Sequence, residues 1–290
     1  MPTTSEILKK IRKIEIKTKG LSRHVFAGKY HSAFKGKGMT FSEVREYQYG
    51  DSIRDIDWNV TARFNRPFVK IFEEERELTV MLLVDLSGSR DFGSNTIMKR
   101  DLMTELAAVL SYSAIQNNDK IGVIFFTNQI EKFIPPKKGH THTLRIITEL
   151  LTFQPKGKGT NIKTALEFFT SAIKKKCTAF IISDFIDKGY DKAMMIANNK
   201  HDLVSLKISD PAEDTLPNVG IIRMSDAETG KEFFVDTALK SNKIKYDNWK
   251  MDMENYFYQT IKHSGVDSAN IRTDVDYVIP LMKLFKQRSV

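Results

Sequence analysis

Two aspartates and three hydroxyls form an oxygen-only set able to grip a hard divalent cation. Asp85 is followed at once by Leu-Ser87-Gly-Ser89, which places two hydroxyls within four residues of a carboxylate, in what reads as a turn. Thr160 closes the glycine-rich stretch Gly157-Lys-Gly-Thr160-Asn161, and Asp184 ends the run Phe180-Ile-Ile-Ser-Asp184. Magnesium prefers six oxygens at about 2.0–2.1 Å, often with waters or ligand oxygens in some positions, and two carboxylates balance its charge. Each residue alone has a plainer reading. Thr160 would cap a helix, and Asp-Leu-Ser-Gly-Ser would be an ordinary turn.

The chemistry therefore depends on the elements that carry these segments. Leu78 to Val84, Ile121 to Phe126, Ala179 to Ser183 and Leu203 to Ile208 are short apolar runs that read as buried strands. Between them lie amphipathic stretches at helical spacing: Thr96 to Gln116, Leu144 to Leu151, Asn161 to Lys175 and Tyr190 to Asn198. Alternation of this kind predicts an α/β fold, a doubly wound and mostly parallel sheet covered on both faces. Gln129 to Ile134 reads as a hairpin or edge strand. Gly220 to Met224 and Glu232 to Val235 flank a turn at Glu228-Thr-Gly230, and Trp249 to His263 and Val278 to Gln287 read as helices. In such a sheet ligands bind beyond the carboxyl ends of the strands. Asp85 and Asp184 are thus expected at the ends of neighbouring strands, lining a solvent-open cleft, with the Thr160 loop beside them.

Composition narrows the classes. The 290 residues are 41% hydrophobic and 28% charged, which excludes a disordered or low-complexity chain. Cys177 is the single cysteine, so no internal disulfide is possible, and a buried thiol in a reducing compartment is expected. No apolar run approaches a membrane span, and the N-terminus lacks the pattern of a secretory signal. A cytoplasmic protein is expected, reaching the inner face of a membrane only through partners. Of the net charge of +9, most sits in residues 1–37, where ten Lys/Arg face two Glu. Ile7, Leu8, Ile11 and Ile14 at helical spacing predict a short amphipathic helix over Thr4–Lys17 in that arm, then loop to Gly38. It could touch nucleic acid or an anionic membrane surface, although few aromatics interleave its charges.

Enzyme motifs are incomplete. A phosphoryl-transfer site on Asp85 would want a second aspartate where Ser87 stands. The serine turn lacks the flanking glycines of a nucleophile elbow, and the Gly157 loop lacks the spacing of a phosphate loop. His140-Thr-His142 has no Cys, Asp or Glu neighbour and reads as an exposed loop pair. A metal-dependent hydrolase is the remaining enzymatic alternative.

Asp85-Leu-Ser87-Gly-Ser89, with Thr160 and Asp184, resembles the metal-ion-dependent adhesion site of von Willebrand factor A domains. The preceding block, read in Gly36-Lys-Gly38, Phe41, Arg45-Glu-Tyr47, Gly50-Asp51, Arg54, Ile56-Asp57-Trp58, Ala62-Arg63, Val69-Lys70 and Glu75, resembles the domain of unknown function 58 family. The resemblance implies a von Willebrand A-like domain and a non-catalytic protein-interaction role beside a MoxR-type AAA+ ATPase. It implies magnesium, with manganese or calcium as substitutes, held by Ser87, Ser89 and Thr160 directly and by Asp85 and Asp184 directly or through water. A partner's carboxylate would complete the shell. Arg90 departs from the apolar residue usual at its position and sets a cation beside the metal loop. The implied organisation is a basic helix and loop over 1–37, a signature segment over 38–77, the A-like domain over 78–236 and a helical extension over 237–290. Arg45, Asp51, Arg54, Asp57 and Arg63 read as an ion-pair network locking the signature segment onto the A-like domain.

Overall fold

The computed structural model describes residues 40–73, 78–93, 97–225 and 232–288. The expected helix at Thr4–Lys17, the loop to Gly38, Glu75, Thr96 and the Glu228–Gly230 turn lie outside the described residues. The chain divides into two compact units, one over Lys35–Glu77 and one whose described part begins at Leu78.

In the smaller unit, β1 (Thr40–Glu46) pairs antiparallel with β2 (Phe68–Glu73), and α1 (Trp58–Phe64) lies between them in sequence. Asp57 starts α1 by accepting from the backbone N–H groups of Asn59 at 3.0 Å and Val60 at 3.2 Å. Asn65, in the left-handed region at φ 55°, ends it. Of the charged signature residues, Arg45, Asp51 and Asp57 bind within this unit. Arg45 grips Asp51 with two bonds of 2.7 and 2.8 Å, and Lys70 lies 3.6 Å from Asp57. Arg54 and Arg63 are exposed. The pairs made by Arg45, Asp51 and Asp57 thus hold local turns of this unit in place.

The larger unit is built on a six-stranded sheet. Its strands are β3 (Thr79–Asp85), β4 (Lys120–Phe126), β5 (Ile130–Lys137), β6 (Thr178–Ser183), β7 (Asp202–Ser209) and β10 (Asp267–Arg272). They run in the order β10-β7-β6-β3-β4-β5, all parallel except β5, which returns antiparallel to β4. β8 (Ile221–Ser225) and β9 (Glu232–Asp236) form a separate antiparallel pair.

Side-chain alternation along the strands separates two cores. Val80, Leu82 and Val84 of β3 join a cluster with Leu106 and Leu110 of α2 (Lys99–Gln116), Ile146 of α3 (His140–Thr152) and Leu281 of α7 (Val278–Arg288). Met81 and Leu83 point the other way. They pack with Leu166 and Phe169 of α4 (Ile162–Ala172), Met194 of α5 (Asp191–Lys200) and Phe257 of α6 (Lys240–Ser264). Helices therefore cover both faces, as a parallel sheet requires.

Three differences from the sequence reading have physical causes. β10 was not expected because only Ala269 and Ile271 of its six residues turn into the core, leaving a polar sequence. α6 is 25 residues long and starts at Lys240, well before Trp249; its first half was not read because no residue there is buried to form an apolar stripe. His140 opens α3, so the histidine pair is helical, and His142 Nε2 bonds the Ile121 carbonyl oxygen at 2.9 Å.

Gly122 shows how tightly the β4–β5 edge is drawn. A Cβ there would lie 2.8 Å from Pro136 N and 2.9 Å from the Ile134 carbonyl oxygen. Those are backbone atoms of the paired strand and cannot swing aside. Gly122→Ala is expected to lower stability by about 1–3 kcal/mol, typical of forced overpacking. Urea denaturation measures it, and an unchanged midpoint would show that the edge is loose.

Candidate functional site

The order of the strands creates the site. The chain leaves β3 toward β4 and β5 on one side, then crosses back to β6 and β7 on the other. Loops after β3 and β6 consequently diverge, and the crevice between them is where such sheets bind ligands. Asp85 is the last residue of β3, and Asp184 directly follows β6. Val84 pairs with Ile182, so the two aspartates stand at adjoining strand ends.

Asp85 is held by two donors. The Ser183 hydroxyl donates to Oδ2 at 2.6 Å and the Ser87 backbone N–H to Oδ1 at 2.9 Å. Asp85 is only 2% exposed and Asp184 only 7%. The expected solvent-open cleft is therefore closed over both carboxylates. Burial, followed by the repulsion of Asp184, pushes the Asp85 carboxyl up to about 7, against the pull of its hydrogen bonds.

Ser87 and Ser89 flank Gly88 at a 3-10 turn, and their hydroxyl oxygens lie 3.0 Å apart. Arg90, in the same turn, is buried, so the cation noted in the sequence is folded inward. The glycine-rich loop reaches this turn through the Gly88 N–H, which donates to the Lys158 carbonyl oxygen at 2.9 Å. Thr160 follows two residues later, half-buried. The cap of α4 is Asn161, whose side chain accepts from Thr164 N–H at 2.9 Å, so Thr160 is not the cap. A third link joins the loops, since Ile162 N–H donates to Asp187 Oδ2 at 2.8 Å.

Two positioning devices escaped the sequence reading. Glu131 on β5 accepts from Gly157 N–H at 2.7 Å, Lys156 N–H at 3.1 Å and the Thr127 hydroxyl at 2.8 Å. Burial opposes its charge, but these donors win and hold its carboxyl below the usual range. A Cβ at Gly157 would fall 2.1 Å from Asn128 Oδ1 and 2.2 Å from Thr127 Oγ1, so any other residue would have to displace these side chains. Lys99, the first residue of α2, is the second device. Its side chain is 1% exposed, its Nζ lies 3.4 Å from Asp184 Oδ2, and it forms a short ion pair with Glu213. Burial disfavours the ammonium, yet Asp184 and Glu213 outweigh that and raise its pKa. Nothing in the sequence distinguishes Lys99 from a solvated lysine at a helix start.

Phe185, next to Asp184, sits at φ 58° and is buried, with its ring 4.7 Å from that of Phe257. A bulky residue in the left-handed region is strained and persists only where its surroundings over-determine it. Here packing of the ring fixes the turn that carries Asp184. Beyond that turn lies a cavity of about 160 Å³, lined by Asp184, Lys207, Glu213, Tyr246, Trp249 and Arg272 among others.

The donor set bears on which ion would fit. Among the described residues no three His, Cys, Asp or Glu side chains cluster as a metal site. An ion here would depend on hydroxyls, which suits a hard cation. Adjacent oxygens in an octahedron with bonds of about 2.1 Å lie about 3.0 Å apart. The Ser87 and Ser89 hydroxyls hydrogen-bond each other at 3.0 Å, which holds their oxygens at a separation compatible with that spacing. Cys177 offers no alternative ligand, being buried with its thiol pushed up to about 12 by burial and then by Asp202.

A doubly wound sheet with an acidic, hydroxyl-lined switch point defines the class of fold. The chain belongs to the DUF58 family, described as a protein of unknown function, whose family model matches residues 43–255. The uncharacterised protein Rv1480 of Mycobacterium tuberculosis is 28% identical over 284 residues, covering 96% of this chain and 88% of that protein. Among solved structures, an aerotolerance-related membrane protein from Bacteroides fragilis superposes with a TM-score of 0.50 at 17% identity, covering 73% of this chain and 98% of that one. The likeness is one of fold. No helix among the described residues is long and apolar enough to cross a membrane.

The raised Asp85 carboxyl has a measurable consequence. In the folded protein it keeps its proton up to about pH 7, whereas an unfolded chain releases it near 4. The folded state binds the extra proton across that window, so stability falls as pH rises through it. In the presence of chelator, the wild-type melting temperature should drop between about pH 5 and about pH 8 relative to Asp85→Asn. Parallel profiles would refute the mutual burial of the two carboxylates.

Proposed function

We propose that this protein is a non-catalytic, divalent-metal-dependent interaction adaptor, working with a MoxR-type AAA+ ATPase in protein maturation or complex assembly. The carrying observation is the pair of hydroxyls, Ser87 and Ser89, set 3.0 Å apart beside a buried carboxylate at the switch point of the sheet. Ser87, Ser89 and Thr160 would hold magnesium through their hydroxyls, with Asp85 and Asp184 acting directly or through water. Bound there, the ion supplies an electrophilic position for an acidic side chain of a partner. Neutral hydroxyl ligands leave more of its charge available than additional carboxylates would.

The surroundings support recognition over turnover. The Ser183 hydroxyl that contacts Asp85 is buried and donates inward, so it serves to hold the carboxylate in place. The cavity beside Asp184 is smaller than the roughly 300–1,000 Å³ typical of small-molecule sites and suits a side chain adjoining the partner's acid. The protein would act in the cytoplasm and reach the membrane through such partners.

The test is capture of a MoxR-type AAA+ ATPase from the same organism. Capture should require magnesium, disappear in Asp85→Ala, Ser87→Ala and Thr160→Ala, and survive removal of the first 20 residues. Capture that persists in chelator but needs the basic arm would replace this reading with electrostatic binding to an acidic surface. Hydrolytic turnover lost in the same three variants would replace it with an enzyme.

A further inference from the structure

Lys99 occupies an unfavourable place for a lysine. It opens an 18-residue helix, where the aligned peptide dipoles present positive charge, and its side chain is 1% exposed. A buried ammonium persists only when it is paired. Both of its acidic partners come from elsewhere in the fold: Asp184 after β6, and Glu213 in the 3-10 turn Pro211–Glu213.

Glu213 is itself fixed. Its Oε2 accepts from the Asp210 backbone N–H at 3.1 Å, closing a capping box, and its carbonyl oxygen takes the Tyr246 hydroxyl at 2.9 Å. It therefore offers the ammonium a constant resting place. Asp184 is different, because it is also one of the five residues of the candidate metal set. Its Oδ1 accepts from Ile186 N–H at 3.3 Å, while its Oδ2 faces Lys99 at 3.4 Å. An ammonium at that distance covers an oxygen that a divalent ion would use or reach through water.

We infer that Lys99 is a built-in counter-cation of Asp184 that competes with the divalent ion for this carboxylate and so sets the metal affinity of the site. The inference rests on the metal reading given above. In the ion-free arrangement Lys99 bridges Asp184 and Glu213. With the ion bound, the flexible four-carbon stem lets the ammonium withdraw to Glu213 alone. Two cations sharing one buried carboxylate repel strongly, because the interior screens charge far less than water. The exchange makes ion binding weak until a partner's carboxylate adds its own attraction, and that is the behaviour an adaptor needs to release its client.

Manganese titration by calorimetry on the full chain tests this with two variants that move in opposite directions. Lys99→Met keeps the length of the side chain and removes its charge; it should bind manganese at least about tenfold more tightly than wild type. Glu213→Gln removes the resting place and leaves the capping geometry; it should bind several-fold more weakly, since Lys99 is then left to Asp184. If Lys99→Met fails to fold in chelator, Glu213→Gln decides alone. Equal affinities in all proteins that bind would overturn the competition while leaving the metal site standing. No manganese binding by wild type or either variant would overturn the metal reading and this inference together. Tight binding by Lys99→Met beside weak binding by wild type would support both.

Discussion

Asp85 and Asp184 stand at the ends of adjoining parallel strands with almost no access to water, and like charges in that position repel. Much of the surrounding structure is arranged around this repulsion. Ser183 and the Ser87 backbone donate to one carboxylate, and Lys99 and the Ile186 backbone attend the other. Phe185 accepts a left-handed backbone so that the turn after β6 can carry Asp184 while its ring stays in the core. The conflict follows from topology. A sheet wound in two directions from β3 has one place where its loops part, and both acids are there.

The third arm of the site depends on a more distant part of the sheet. Glu131 lies on β5, the antiparallel edge strand, and holds the loop that leads to Thr160 through two backbone N–H groups. The position of Thr160 is therefore coupled to the β4–β5 hairpin, whose closeness at Gly122 leaves no room for a methyl group. A half-buried carboxylate that accepts from several donors is an anchor for the loop, because releasing it would leave those donors without their partner. Rigidity at the sheet edge is thus passed to a hydroxyl near its centre.

The sequence revealed what repeats and hid what does not. β3, β4 and β6 are nearly continuous apolar runs because both faces are covered, and β7 keeps that pattern apart from Ser205 and Lys207, so all four are readable without neighbours. β10 was hidden by its edge position, where Asp267, Ser268, Asn270 and Arg272 leave only two core residues. The acids and hydroxyls of the site were legible because strand ends and turns declare them locally. Their burial was not, since it depends on loops closing from three separate regions. Lys99 and Glu131 were missed for one reason: a charged residue reads as solvated until the fold supplies its partners from 85 and 26 residues away. The plainer reading of Thr160, as a helix cap, fails because Asn161 one position later takes that role.

Charge balance ties these pieces into one argument. Without an ion, Lys99 lends a single positive charge to two acids, Asp184 and Glu213, while the proton retained by Asp85 removes the remaining conflict. With a divalent ion, Asp85 and Asp184 would together match its charge, and Lys99 with Glu213 would form a second neutral pair. Both arrangements avoid a large unbalanced charge in the interior, which is the costly condition. Under the metal reading proposed above, a short swing of one lysine stem would exchange the two arrangements, and a site built in this way would fill and empty without unfolding its surroundings.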